Sequence, residues 1–367
     1  MKRVISALLL CLLLTGCWDQ HKLKKMLFAD VIGLDYEGDS KELKVSFVIS
    51  ALENAHFGGG TLSNLFIASK GKNIYDAADH TNKETPGILS VLETRLFLIS
   101  NQFAKDRPLD YLNITGQFNA NPLYGYLALY DGDLTKLLAK KKLKGNMNTS
   151  EFLVGLLDDE KKRGKIPSTQ LIRYILGGAE FLNDFALNRF ESYEDSPRLS
   201  GTALFSDGKY TGINLNDSDT LLAVLMNGTE GQLQPFIGNI DGNTYTVLVR
   251  NVSRNFHFIN YHDSLSEIKI TLKLDVKLIE YGLEMKQHTN EMLMDLEKKI
   301  AEDLTARATH VITTLQQANC DYLQLGHEVA AYHPKQFKDI DWWREQYPRI
   351  SIKPTVEIKI NNTGVLE

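Results

Sequence analysis

Ile268-Lys269-Ile270-Thr271-Leu272-Lys273-Leu274-Asp275-Val276-Lys277-Leu278-Ile279-Glu280-Tyr281 decides the fold class of this chain. Ile268, Ile270, Leu272, Leu274, Val276 and Leu278 alternate with polar residues, and side chains alternate across a strand. The stretch therefore predicts a long strand with one apolar and one wet face. Immediately after it the period changes. From His288 to Gln317, Met292, Leu296, Ile300, Leu304, Ala308, Val311 and Leu315 step by four or three, the apolar stripe of one helix. At 1.5 Å per residue that helix would run about 45 Å. Ile350 to Ile360 alternates again as a last strand, with a mostly helical stretch, Pro334 to Tyr347, before it. Packing the stripe on a sheet that holds both strands is the economical arrangement. It should bury Leu296, Ile300, Leu304 and Val311 and leave Glu297, Lys298 and Arg307 in solvent.

The segments upstream fit the same α+β class. Gly201 to Phe205 opens a hairpin turned at Asp207-Gly208 and returning through Tyr210 to Ile213, followed by a helix at Leu221–Met226 and a strand at Thr244–Asn251. Asn214, Asn216, Asp217 and Asp219 resemble a calcium loop only loosely, because such a loop needs glycine where Asp219 stands. They read better as a helix N-terminus with its capping acids. In the N-terminal half, strands are expected at Met26–Asp35, Glu42–Ser50, Leu65–Ser69, Leu96–Ser100 and Tyr124–Leu129, with Gly58-Gly59-Gly60 in a loop. Helices are expected at Asn73–Lys83, Leu109–Ile114 and Leu134–Lys141, at Thr149 onward with Thr149 as cap, and through Leu171, Ile172 and Ile175 up to Gly177-Gly178. Glu191 to Arg198, with Pro197, is the best boundary. The expected organisation is residues 1–16 as a leader, 17–197 as an N-terminal α/β domain and 198–367 as an α+β region. The last divides, on a second reading, into 198–240 and 241–367. The fold class is thus multidomain α+β: mixed sheets flanked by helices, with the long C-terminal helix on a sheet.

The leader has its own signature. Lys2 and Arg3 precede an 11-residue apolar run, Val4 to Leu14, and then Leu14-Thr15-Gly16-Cys17. A basic start, a short apolar run and small residues at the cut describe a signal peptide, and the run is too short for a spanning helix. Leu-Thr-Gly-Cys looks like a lipobox, where the Cys17 thiol takes diacylglycerol and the chain is cut before it. Two acyl chains give stable anchoring where one gives marginal binding. The expected location is the outer face of the cytoplasmic membrane. With Cys11 in the leader and Cys17 lipidated, Cys320 is left as a single free thiol and no internal disulfide is expected. A net charge of −5 speaks against nucleic acid as a partner.

No motif assembles a catalytic centre. His327-Glu328 lacks the second histidine four residues on that a zinc-protease helix needs, since Ala331 occupies that place. Ser266 and Lys269 have S-x-x-K spacing, but in a strand they would face opposite ways. Lys140 to Lys144 reads as a solvated helix end or a contact for anionic headgroups. Trp342-Trp343 is different: two successive helical residues cannot share a face, so one ring should pack inward and the other offer a contact surface.

These residues together resemble the Ger(x)C spore germination lipoproteins, the C subunits of germinant receptors. The resemblance is carried by Cys17-Trp18-Asp19, Gly201-Thr202-Ala203-Leu204-Phe205, Lys70-Gly71-Lys72-Asn73-Ile74, and a terminal block of Leu315-Gln316-Gln317, Asp321, Gly326 and Trp342 to Pro348. It departs at Glu93-Thr94-Arg95, where a histidine would be expected. The resemblance implies a three-domain mixed α/β protein, each domain a sheet flanked by helices, a place beside integral-membrane A and B subunits in the spore inner membrane, no cofactor, no chemistry of its own and no direct small-molecule site. The competing expectation is a solute-binding lipoprotein of a transporter, which would need two similar lobes around an apolar cleft.

Overall fold

The computed structural model describes residues 26–362 apart from 39–41, 54–60, 107–111, 113–121, 123, 176–183, 262–263 and 283–288. The Cys17 anchor, the Gly58–Gly60 loop, Gly177-Gly178 and all of Leu109–Ile114 except Leu112 lie outside the described residues.

The first sheet has nine strands: β1 (Met26–Glu37), β2 (Glu42–Glu53), β3 (Thr61–Gly71), β4 (Ile88–Ser90), β5 (Leu96–Ser100), β6 (Tyr126–Asp131), β7 (Phe185–Tyr193), β8 (Ser196–Ser206) and β9 (Lys209–Leu215). Their order is β3-β2-β1-β5-β6-β7-β8-β9, with β4 also paired to β1. The middle strands β1, β5, β6 and β7 are parallel, while meanders at either edge are antiparallel. Parallel strands are covered on both faces, so they read as unbroken apolar runs. Leu96, Leu98, Ala128 and Tyr130 enter one core with α3 (Leu134–Leu138) and α4 (Thr149–Arg163). Phe97, Ile99, Leu127 and Leu129 enter the opposite core with α1 (Ile74–Glu84) and α2 (Asn101–Ala104). Helix α1 starts where Asn73 accepts the Asp76 N–H, and it buries Ile74, Ala77 and Ala78 as the spacing requires. A four-residue helix α5 (Ile172–Ile175) and then α6 (Asp217–Met226), capped by Asn216, complete this part.

The second sheet runs β10 (Gln234–Ile240), β11 (Asn243–Tyr261), β12 (Ser264–Tyr281) and β13 (Ser351–Asn362). β12 and β13 are parallel, so the chain between them must cross over the sheet. It does so through α7 (Asn290–Gln317), α8 (Leu325–Tyr332) and α9 (Ile340–Gln346). Ile268, Ile270, Leu272, Leu274, Val276 and Leu278 all lie under Leu296, Ile300, Leu304, Ala308, Val311 and Leu315. The α+β class and the long helix packed on a sheet are as expected.

Several expectations need correction. The expected boundary at Glu191–Arg198 is not a break between sheets: it is the turn of the β7–β8 hairpin, with Glu194 at φ +49°. Two apolar flanks around a polar turn carry the signal of a hairpin as well as of a boundary. Thr149 is the first helical residue, with Asn148 at the cap position. Pro334–Tyr347 is broken: α8 ends at Tyr332, and α9 restarts when Asp339 accepts the Trp342 N–H. β10 and the outer half of β11 had no clear alternation to read. Lys298 is exposed as expected, but Glu297 and Arg307 are half-buried. Glu297 accepts the Ile360 N–H of β13, and Arg307 donates to the Ile237 carbonyl of β10. Thr305 accepts the Val356 N–H. α7 thus satisfies backbone groups on both open edges of the sheet, edges that would otherwise invite pairing.

Candidate functional site

Three features stand out. The first is a cleft of about 1160 Å³ between the two sheets. One wall is α4, whose Phe152, Leu156 and Glu160 recur every four residues on one face. The other is made by Pro235–Ile237 of β10 and the first turn of α6, and the β7–β8 turn forms the end. Next to the cleft residue Lys165, Gly164 meets Gly231: a Cβ on Gly231 would fall 2.3 Å from the Gly164 Cα. Gln234 donates to the Gly164 carbonyl at 2.6 Å, and Leu233 donates to the Arg163 carbonyl at 3.2 Å. Lys142 and Lys144 also line it and make no ion pair among the described residues. The volume suits a small molecule, but the walls are a helix on one side and a strand with a helix end on the other. They are not the like faces of a duplicated lobe.

The second feature is a buried polar knot. Asp184, just before β7, accepts the Asp207 N–H at 2.9 Å and the Asp321 N–H at 3.2 Å. Asp321 is buried and accepts from Leu325 N–H at 2.8 Å, Gly326 N–H at 2.7 Å and Trp343 Nε1 at 2.9 Å. Burial pushes the Asp321 carboxyl up to about 6, while the donors from Gly326, Leu325 and Trp343 pull it back. Burial also raises Asp184. Cys320 is fully buried, its thiol raised by burial and by the two neighbouring aspartates, and it donates weakly to the Phe185 carbonyl at 3.6 Å. A buried, protonated thiol is inert rather than nucleophilic. The knot ties the end of α7, the start of α8 and the middle of α9 to the end of the first sheet where β7 starts and β8 finishes.

The third is the tryptophan pair. Trp343 is 1% exposed and serves the core: its ring lies on Gly326, where any Cβ would fall 2.4 Å from Nε1, and its N–H is spent on Asp321. It therefore leaves the set of candidate contact residues, since a ring with its only donor satisfied inside has nothing to offer outside. Trp342 is half-buried and stands edge-on to Phe337 at 6.0 Å. Only side-chain direction along α9 separates the two, and sequence could say that they differ but not which was which.

The other candidates stay apart. Ser266 donates to the Ile259 carbonyl, and Lys269 pairs with Glu267. Asn216 caps α6 and Asp217 accepts the Gly201 N–H, so the acidic run there is a helix start. Among the described residues no group of three His, Cys, Asp or Glu side chains is arranged to hold a metal.

A large mixed sheet and a smaller one, tied together by a polar knot, define an α+β scaffold, and the chain matches two known families in order. Residues 19–187 match the spore germination protein N-terminal domain, and residues 200–364 match the spore germination B3/GerAC-like C-terminal family. The chain belongs to the Ger(x)C family of spore germination proteins. It is 22% identical to spore germination protein GerQC of Bacillus cereus, over all of both chains. It is 19% identical to spore germination protein KC of Bacillus subtilis (strain 168), over 98% of this chain and 95% of the other. The crystal structure of the GerBC protein shares the fold, with a TM-score of 0.57 at 13% identity over 90% of this chain and 97% of that one.

Proposed function

We propose that this protein is the lipid-anchored C subunit of a spore germinant receptor, an assembly component that works by contact and not by turnover. The observation that carries this reading is the match of both family halves, in order, across almost the whole chain. In it, Cys17 bears the lipid, and the chain sits on the outer face of the cytoplasmic membrane, which becomes the inner membrane of the spore. Its partners are the integral-membrane A and B subunits. Anchoring holds the chain in the plane of those partners and raises the effective concentration for their association. Residues 17–197 and 198–367 are its two working units, with β8 and β9 of the second completing the sheet of the first. Of the tryptophan pair, Trp342 is the one that reaches the surface, where a contact can be made.

The test is Cys17→Ala in the sporulating host. The expected result is an unlipidated, mislocalised precursor and spores that no longer respond to the nutrient served by this receptor. Normal nutrient germination from that strain would overturn the anchoring reading.

A further inference from the structure

β1, β5, β6 and β7 are parallel, so the first sheet has one end at which these strands start. Val31 stands level with Leu96, Leu96 with Tyr126, and Ala128 with Asn188, so the start of β7 lies level with Val31. Met26 reaches five residues further out at that same end. Phe185 of β7 pairs with Phe205 of β8, which puts the Asp207-Gly208 turn there too. Asp207 binds Arg344 of α9 at 3.1 Å, and Ser206 donates to the Asn319 carbonyl at 2.6 Å. The helices α8 and α9 are therefore fastened to the end of the sheet where the chain enters.

That end carries an unusual set of side chains. Tyr332, the last residue of α8, is 74% exposed. His333 meets Phe258 of β11 at 4.8 Å, and Phe337 meets the half-buried Trp342. Between these rings lie Lys335 and Lys338, both exposed and without an ion pair among the described residues. Of the nearby acids, Asp339 caps α9 and Asp341 faces Arg344 at 3.8 Å. Amphipathic rings with lysines between them suit the headgroup layer of a bilayer, where Tyr and Trp keep one end apolar and one wet and lysine reaches anionic phosphate.

We propose that the Tyr332–Trp342 face rests on the anionic membrane surface, beside the membrane-embedded partners, once the chain is tethered. The proposal depends on the lipid at Cys17. From Cys17 to Met26 the chain spans at most about 30 Å, and Met26 lies at the same end as this face, so a membrane holding the lipid is within reach of it. The cleft with Lys142 and Lys144 lies toward the other end, where β6 and β7 finish, and would face away.

The experiment uses the full lipidated chain in vesicles of phosphatidylcholine with or without phosphatidylglycerol, and bromine-bearing lipids that quench nearby tryptophan. Trp18 stands next to the lipid, so wild type is compared with Trp342→Phe. The expected result is quenching in anionic vesicles that Trp342→Phe loses in part, and that Lys335→Glu with Lys338→Glu reduces several-fold. Identical quenching of wild type and Trp342→Phe in protein that floats with the vesicles overturns the proposal and leaves the tether standing. Protein that fails to float overturns the tether and the proposal with it. Loss of co-purification with the membrane subunits in Trp342→Phe, without the quenching difference, would assign this face to protein contact and also overturn it.

Discussion

The two sheets of this protein solve burial differently. In β5 of the first sheet every residue from Leu96 to Ser100 is buried, because neighbouring side chains feed two separate cores. In β12 of the second sheet only alternate residues are buried, because one face packs under α7 and the other meets water. The two-sided sheet leans on helices above and below, whereas the one-sided sheet takes its core chiefly from one long helix, with α6, α8 and α9 beside it, and relies on that long helix to satisfy its edges. Failure should therefore be diffuse in the first and concentrated in the second.

The largest effect should come from Leu304→Asp. Leu304 is fully buried on the central turns of α7, and a carboxylate there has no partner, a penalty that exceeds the usual range of about 0.5–3 kcal/mol for single substitutions. The C-terminal sheet should unfold, seen as lost helical circular dichroism and early protease cleavage in residues 234–362. Melting like wild type would mean that α7 is not docked on the sheet.

An alanine scan sharpens the contrast. Along β12, Leu272→Ala should cost about 2–5 kcal/mol, while Lys273→Ala, whose partner Glu357 is an exposed surface contact at 2.9 Å, should stay within about 0.5 kcal/mol. Along β5, Phe97→Ala and Leu98→Ala should both be costly, by about 2–5 kcal/mol each. Denaturant midpoints that alternate along β5 as they do along β12 would break the two-sided account.

A pH-dependent effect concerns the knot joining the sheets. Asp321 titrates near 6 in the folded chain, above the ordinary carboxylate range. A raised folded pKa means that the folded state holds the proton more tightly, so its contribution is present at acid pH and is lost as pH rises through about 6. Relative to Asp321→Asn, wild type should gain on the order of 2 kcal/mol of unfolding free energy between pH 7.5 and pH 4.5. An unchanging difference between the two proteins across that range would show that Asp321 is not strained by burial.

How much of this was legible follows from the same contrast. Helix α7 and β12 could be read almost residue by residue, since a half-buried element prints its period in the sequence. β5 and β6 were visible only as short apolar runs, because strands buried on both faces lose the alternation that identifies them. Glu297 and Arg307 read as solvated on their polar stripe, yet each reaches a backbone group of an open edge. Nothing in local sequence records that a strand edge lies beside them. Likewise nothing local in Glu191–Arg198 shows that the strands on either side of it pair within one sheet.

For the candidate sites the division is similar. Sequence alone determined the apolar stripes, the helix starts at Asn73 and around Asn214 to Asp219, the lipobox-like Cys17 and the fact that one of two adjacent tryptophans must turn inward. Local spacing and side-chain chemistry suffice for those. Only the tertiary structure decided that Trp343 is the inward one, that Asp321 waits beneath it, and that α8 and α9 sit at the end of the sheet where the chain enters. Those outcomes depend on residues more than a hundred positions apart, Phe185 with Cys320 and Asp207 with Arg344, and no periodicity within either segment encodes their meeting.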